Sequence, residues 1–173
     1  MSNGRKRSSI EERMVEIANN PNHCFWIEGN SARVTLAGYG MQRVARFELT
    51  DEQTISLRWE VKEAKKWTEV VYAQVIGDRI VRIGASMGPF GKRFGTTYDR
   101  WLTGALRGAN PHAPNWEAPA WRKALQAHSA VAEIYAHEAP KFETKTGTHS
   151  ICLNEETDLL KRHCPPFNRS KSR

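Results

Sequence analysis

The sequence predicts an α+β fold in which a small antiparallel three-stranded sheet is flanked by helices and preceded by an N-terminal helix/β-hairpin extension. An apolar, β-rich run at residues 70–76, the turn pair Gly77-Asp78 and a second run at residues 80–83 form the pattern of a β-hairpin. Residues 131–136 alternate as a third strand does, and the shared face carries Ala130, Ala132 and Ile134. Helical patterns around these runs complete the class.

The N-terminal third is predicted to form the extension. A capping-box pattern at residues 8–12 predicts a short helix that ends at Asn19-Asn20-Pro21. Between residues 25 and 49 the pattern is that of strands, with turns at residues 29–30 and 38–40. We therefore expect a small antiparallel element in this part of the chain.

Residues 50–61 leave two alternatives open. Thr50 and Gln53 are typical of a helix start, whereas the apolar residues at 55, 57, 59 and 61 alternate as in a strand. After the hairpin, Gly88-Pro89 predicts another helix start, because proline suits the first helical position. The first turns of that helix then carry Lys92 and Arg93.

The chain beyond residue 117 predicts two more helices. One starts at Pro119 and runs to about His128, and its Trp121 is predicted to be a core anchor, while Trp116 is left open. Residues 144–149 read as a polar loop, and the last helix is expected to open at Asn154 or Glu155.

Charge indicates a polyanionic partner. The 173 residues carry a formal charge of +7, with 11 Lys/Arg against 9 Asp/Glu in residues 1–67 and 15 against 10 in residues 68–173. A basic balance of this kind favours nucleic acid, although the basic ends of the chain account for part of it. The length suits one compact domain with an appendage.

The cysteines and the hydropathy pattern exclude several classes. Cys24, Cys152 and Cys164 are an odd number without paired spacing, which argues against a disulfide framework and a zinc site and predicts buried thiols. No apolar run approaches the length of a membrane span, and no signal peptide is apparent. We therefore expect a cytoplasmic protein.

Two separated motifs resemble the GIY-YIG nuclease family, most closely its small type II restriction endonucleases. Val70-Val71-Tyr72 stands in the place of the first triplet and Arg82-Ile83-Gly84 in that of the second, and Arg93 follows nine residues after Gly84. Near the C-terminus, a glutamate and an asparagine twelve residues apart match the closing motif, which comprises Glu156, Leu159, Leu160, Lys161, His163, Pro165, Phe167 and Asn168. The resemblance covers residues 68–168 and implies a nuclease domain there, with residues 1–67 as an N-terminal extension for DNA contacts or dimerisation and residues 169–173 as a basic tail.

The resemblance also implies roles for single residues. Tyr72 would be the general base and Arg93 would bind the scissile phosphate through its guanidinium fork, with Lys92 as its competitor. Glu156 would hold one Mg²⁺, for which Mn²⁺ can substitute, and Glu155 is the second choice. Supporting residues would be Lys92, Tyr98 and Asn168, and the DNA contacts would come from Arg100, Arg107, Asn110, His112 and Asn115.

Arg82 is the main departure from the family pattern, because it stands where the second tyrosine is usual. A phenol is a weak base at neutral pH unless its anion is stabilised, so we expect Arg82 to act on Tyr72 electrostatically. The two residues can share a face of the hairpin only with an odd-length loop or a bulge. We predict a three-residue loop at residues 77–79.

The function that follows is a Mg²⁺-dependent, sequence-specific endonuclease acting on double-stranded DNA. Alternatives are a repair or mobile-element nuclease that nicks DNA and a non-catalytic DNA-binding relative. We expect a homodimer, one site per strand, with no membrane and no small-molecule cofactor. The dimer or DNA-clasping surface is predicted within residues 22–61, because that segment is rich in apolar and aromatic residues, namely Phe25, Trp26, Val34, Leu36 and Trp59.

Overall fold

A computed structural model of the chain describes residues 10–50, 55–94 and 117–168. The helices are α1 (Ile10–Asn19), α2 (Cys24–Ile27), α3 (Ala32–Gly38), a 3-10 helix (Lys62–Lys66), α4 (Phe90–Lys92), α5 (Glu117–His128) and α6 (Cys152–His163). The strands are β1 (Gln42–Leu49), β2 (Ile55–Trp59), β3 (Val70–Ile76), β4 (Arg79–Ser86), β5 (Val131–Glu138), β6 (Lys141–Thr144) and β7 (Gly147–Ser150). The predicted α+β class is confirmed.

The main sheet is larger than the sequence predicts. Within the described residues it has five antiparallel strands in the order β2-β1-β5-β3-β4. The prediction of three strands is wrong because β1 pairs with β5, so that Ala45 and Phe47 extend the same core. Of residues 25–49, which were predicted to form a small antiparallel element, only 42–49 are a strand, and this strand, β1, lies between β2 and β5 in the main sheet.

The segment before β1 is helical, which corrects the strands predicted between residues 25 and 38. In α3, Ala32 and Leu36 are buried one helical turn apart, and Val34 between them is 75% exposed. This spacing of four fits a helix, not the alternation of a strand. Helix α1 ends at Asn19 as predicted, and β2 realises the strand alternative for residues 55–59.

The β3–β4 hairpin closes differently from its prediction. Gly77 and Asp78, with φ of 54° and 66°, form a two-residue turn with the positive φ of type I′, and Ile76 pairs with Arg79. The predicted three-residue loop is wrong. A bulge between residues 80 and 82 leaves Val81 without an opposite residue, and this extra residue restores the shared face of Tyr72 and Arg82.

The hairpin tip holds the segment that joins α2 to α3. The guanidinium of Arg79 donates to four carbonyl oxygens, those of Trp26, Ile27, Gly29 and Asn30, at 2.9 to 3.2 Å. The carboxylate of Asp78 accepts a hydrogen bond from the backbone N–H of Arg33 at 3.1 Å. Burial alone would raise the pKa of Asp78, but hydrogen bonds from the Ser31 side chain and the Arg33 N–H, with the charges of Arg33 and Arg79, lower it.

The sheet has a buried cluster on each face. On one face α1, α4 and α5 cover Tyr72 and its neighbours, and Trp121 is fully buried there, as predicted. On the other face α3 and α6 cover Val71, Ala73 and Ile83. Because Trp26 and Leu36 belong to these clusters, they do not form part of the exposed surface predicted for residues 22–61.

The C-terminal part departs from the prediction in two details. The predicted polar loop at residues 144–149 lies in an antiparallel hairpin, β6–β7, whose strands satisfy each other's backbone groups. Helix α6 begins at Cys152, two residues before the predicted start, because Cys152 is itself a buried core residue. Cys24 and Cys164 are exposed, so the prediction of buried thiols holds only for Cys152. No helix of the described residues is long and apolar enough to cross a membrane.

Candidate functional site

Tyr72 lies in the middle of β3, and its side chain crosses the neighbouring strand β4 over a glycine. Its cross-strand partner is Gly84, and the side chain of Tyr72 is fully buried. A Cβ atom at position 84 would lie 2.4 Å from the Tyr72 hydroxyl oxygen and 2.5 Å from the ring carbon that bears it. Only glycine therefore allows the phenol to occupy this place.

Helix α4 brings a cation to the phenol. The Tyr72 ring packs against the rings of Phe90 and Phe94, with centroids 5.5 and 5.0 Å away. Between these two anchors, Arg93 is exposed, and its Nε donates to the Tyr72 hydroxyl at 3.3 Å. The buried phenol oxygen is thus in contact with a charged side chain that reaches the surface.

Two further basic residues are close sequence neighbours of Gly84 and Arg93. Arg82 is half-buried and shares the face of Tyr72, since it precedes Gly84 by two residues on β4. Lys92 is exposed on α4, directly before Arg93. The predicted group of Tyr72, Arg82 and Arg93 is therefore assembled on one side of the edge strand.

Asn168 fixes the C-terminal segment to that edge strand. Its side-chain oxygen accepts from the Ile83 N–H at 2.8 Å, and its side-chain nitrogen donates to the Ile83 carbonyl at 2.7 Å. The Phe167 N–H adds a bond to the Val81 carbonyl at 2.9 Å. These contacts occupy outward-facing backbone groups of Val81 and Ile83 on β4, which an edge strand otherwise leaves open.

Glu156 lies on the other side of the sheet. Helix α6 packs on β3 and β4 through Cys152 and Leu159, on the face opposite to Tyr72. Glu156 is half-buried, and its side chain makes no hydrogen bond or ion pair with any residue that the structure describes. It is not in contact with Tyr72 or Arg93 within that part of the chain. A substrate bound to both would have to extend around β4.

The neighbouring carboxylate is already engaged. Glu155 Oε1 lies 2.8 Å from Nε2 of His137 on β5. Burial, reinforced by the charges of Glu156 and Glu155, raises the pKa of the Cys152 thiol to about 11. Both glutamates therefore place negative charge at the start of α6. Of the two, Glu156 is the one whose carboxylate has no partner among the described residues and can bind a ligand.

The residues present suit a cation that needs few protein ligands. Across residues 10–50, 55–94 and 117–168, no group of three or more His, Cys, Asp or Glu could enclose a metal ion. Mg²⁺ is commonly bound by one or two carboxylates, with water and phosphate oxygens completing its shell. A lone carboxylate such as Glu156 fits this mode, whereas it does not fit a structural zinc or calcium site.

The predicted residues Tyr98, Arg100, Arg107, Asn110, His112 and Asn115 lie outside the described residues.

Comparison with known proteins shows a similarity of fold. No protein-family model and no curated protein matches the sequence. A mutant of bacteriophage T4 EndoII has a similar fold, with a TM-score of 0.58 and 19% identity over 81% of this chain and 100% of its own. A restriction endonuclease, Hpy188I in complex with product DNA, aligns with a TM-score of 0.44 and 14% identity over 95% of this chain and 94% of its own.

Sequence reasoning missed what surrounds the phenol. Gly84 belongs to the second triplet, but its contact with Tyr72 depends on a register that a bulge sets. Phe90 and Phe94 were also missed, although aromatic residues four apart after a helix start are a signal for one buried face.

On the other face of the sheet, Glu133 pairs with Arg33 and Arg43, at 3.0 and 2.9 Å. Burial would raise the pKa of Glu133, but these two arginines lower it.

Proposed function

We propose that the protein is a Mg²⁺-dependent endonuclease that cuts double-stranded DNA at a specific short sequence, as a type II restriction enzyme does. The observation that carries this proposal is the contact of the Tyr72 hydroxyl with Arg93 over Gly84. It occurs in a fold similar to that of EndoII, whose name denotes an endonuclease. The motif resemblance to GIY-YIG nucleases assigns the same residues to the chemistry.

The chain's own residues would divide the work of hydrolysis. Water attacks phosphorus while the deprotonated Tyr72 oxygen takes its proton, and the bond to the leaving oxygen breaks as that oxygen takes a proton from solvent. Arg93 binds the scissile phosphate, and Arg82 adds positive charge on the same face. Glu156 would hold one Mg²⁺, which when bound supplies charge stabilisation at the phosphate.

Plasmid digestion tests the proposal. We expect the wild type with Mg²⁺ to give discrete bands and to be inactive in EDTA, whereas Tyr72→Phe and Glu156→Gln abolish cleavage and retain DNA binding. The matched controls are Tyr135→Phe, which removes the hydroxyl of another buried tyrosine of the sheet, and Asp158→Asn, which removes an exposed charge from α6. Cleavage by either site variant at a near wild-type rate would refute the role of that residue. Nicks in place of bands would favour the repair or mobile-element class.

A non-catalytic DNA-binding protein is the second candidate. It is favoured by the full burial of Tyr72 and by the position of Glu156 on the opposite side of the sheet. A protein of this kind would retard DNA in a gel and leave it intact with Mg²⁺ and with Mn²⁺ alike. The digestion experiment therefore separates the two candidates directly.

We propose further that two copies act together, since one site with one cation cuts one strand. Ile27 and Val34, which are 64% and 75% exposed, are the most exposed large apolar side chains in the described part of residues 22–61 and would contact a second copy. Light scattering with a cleavable duplex in Ca²⁺ tests this. A monomer on DNA at micromolar concentration that makes clean double-strand breaks would exclude the dimer.

A further inference from the structure

Three exposed lysines lie on the 3-10 helix that follows β2. Lys62, Lys65 and Lys66 are accompanied by one acidic residue, Glu63. None of the three lysines has an ion-pair partner in the described part of the chain. The arginines of β1 and β2 differ in this respect, because they pair with Glu48, Glu60 or Glu133. The positive charge of the 3-10 helix is therefore available to an external anion.

Backbone contacts join this 3-10 helix to α4. The Phe90 N–H donates to the Trp67 carbonyl at 2.8 Å. A Cβ atom at Gly91 would lie 3.0 Å from the Cβ of Lys65 and 3.1 Å from its carbonyl oxygen, so the two segments approach as closely as glycine permits. The spacing between the lysines and the α4 cations is thus set by main chain and not by mobile side chains.

The result is one basic surface, formed by Lys62, Lys65, Lys66, Lys92 and Arg93. Within the described residues of the 3-10 helix and α4 the one carboxylate is that of Glu63, and the inner end of the surface is Arg93, which contacts Tyr72. Lys65 is further ordered by Trp59, whose ring centroid lies 5.6 Å from the Lys65 ammonium nitrogen. The surface therefore continues outward from the candidate site.

We propose that this basic surface binds the phosphate backbone of duplex DNA beside the phosphate that is cut. The inference rests on the proposed function and adds the path of the DNA. A five-residue 3-10 helix is about 10 Å long, which matches the axial rise of about three phosphates on one strand. Lysines bind phosphates as point charges and carry no sequence information, so this surface positions the duplex and leaves base recognition to other residues.

Salt dependence of binding provides the test. Lys62→Gln/Lys66→Gln is compared with Lys123→Gln/Lys145→Gln, which removes the same charge from exposed positions on α5 and in the turn of the β6–β7 hairpin. Binding of a short fluorescein-labelled duplex of mixed sequence is measured by anisotropy in EDTA over a range of salt. Each lost phosphate contact reduces the magnitude of the slope of log K against log salt by about 0.9. The slope for Lys62→Gln/Lys66→Gln should therefore be smaller in magnitude by about 2. At about 0.15 M salt this corresponds to about 30-fold weaker binding.

The outcomes separate this inference from the proposed function. The control pair should keep the wild-type slope and the wild-type cleavage rate, and both variants should melt at the wild-type temperature. A wild-type slope for Lys62→Gln/Lys66→Gln, or an equal loss in both variants, refutes the basic surface while the nuclease stands. A wild-type protein that neither binds nor cuts DNA overturns both.

Discussion

The two ends of the β3–β4 hairpin are built on opposite principles. At the tip, Asp78 and Arg79 extend polar side chains that satisfy backbone groups of residues 26–33. At the open end, Gly84 has no side chain, and the missing atoms make room for Tyr72 and its contact with Arg93. The same pair of strands thus anchors a neighbouring segment at one end and forms the candidate site at the other.

This difference implies that stability and activity can be separated along one hairpin. The tip contacts join segments about 50 residues apart in sequence, so their loss should lower the free energy of unfolding. The open-end contacts position a reactive oxygen, so their loss should lower the cleavage rate. Variants along the hairpin test this separation.

Among the hairpin variants that leave the reactive side chains in place, the largest effect is expected for Gly84→Ala. The new Cβ would displace the Tyr72 hydroxyl, whose oxygen lies only 2.4 Å from the position of that atom. We expect the cleavage rate to fall on the order of 100-fold or more, because a displacement of about 1 Å at a reacting group has an effect of this size. Forcing the core apart should also lower the free energy of unfolding by about 1–3 kcal/mol.

Gly88→Ala is the control, because a Cβ there meets nothing within 4 Å. Plasmid cleavage at a temperature where both variants are folded, with urea unfolding alongside, makes the comparison. If Gly84→Ala is destabilised but cleaves at the wild-type rate, the position of Tyr72 does not matter for the chemistry.

Local patterns predicted much of the fold. The hairpin, α1, α5, β5 and the burial of Trp121 follow from periodicity and turn residues within one segment. Helix α3 was not predicted, because its two buried residues are too few to distinguish a helix from a strand. In addition, its first turn is held by a hydrogen bond from the Arg33 N–H to the carboxylate of Asp78, 45 residues away. The pairing of β1 with β5 is similarly long-range, so the sequence did not show that the N-terminal strands belong to the main sheet.

The positions of three candidate residues agree with the motif resemblance, while their roles stay predictions. The motif resemblance placed Tyr72, Arg82 and Arg93 together, and the structure brings them to one side of β4. The bulge that makes this possible leaves no local signal, since no glycine or proline marks residues 80–82. The burial of Tyr72 also depends on Phe90 and Phe94, which contribute through tertiary packing.

At the tip, Arg79→Ala should affect stability alone. It removes the donor of four hydrogen bonds from a charged group, and we expect a loss of about 2–3 kcal/mol in the free energy of unfolding. Arg79→Lys retains the charge but not the planar fork, so it should recover less than half of this loss. Urea unfolding measures the effect, and cleavage below the transition should match the wild type. A loss of cleavage in the folded variant would contradict the separation of the two ends.

A smaller effect with a defined pH dependence is expected for Asp78→Asn. Because the folded pKa of Asp78 is lowered below 3.8, its charge stabilises the fold above that pH, and this contribution is lost as the pH falls through the lowered pKa. Asparagine tolerates the positive φ at this position, so the substitution tests the charge. The difference from the wild type should be on the order of 0.5–1 kcal/mol at pH 7. Urea titrations from neutral to acid pH should show the two curves converging, and a difference independent of pH would refute the charge effect.

The mildest change concerns the open end and tests how Arg82 acts. It shares the face of Tyr72 and is half-buried, so a positive charge at this position reaches the phenol whether it is carried by a guanidinium or an ammonium group. Arg82→Lys should therefore cleave within about 10-fold of the wild type, whereas Arg82→Gln, which removes the charge, should lose on the order of 100-fold. Single-turnover cleavage separates this effect from DNA binding. If Arg82→Lys falls as low as Tyr72→Phe, Arg82 acts through the geometry of its planar fork and not through its charge.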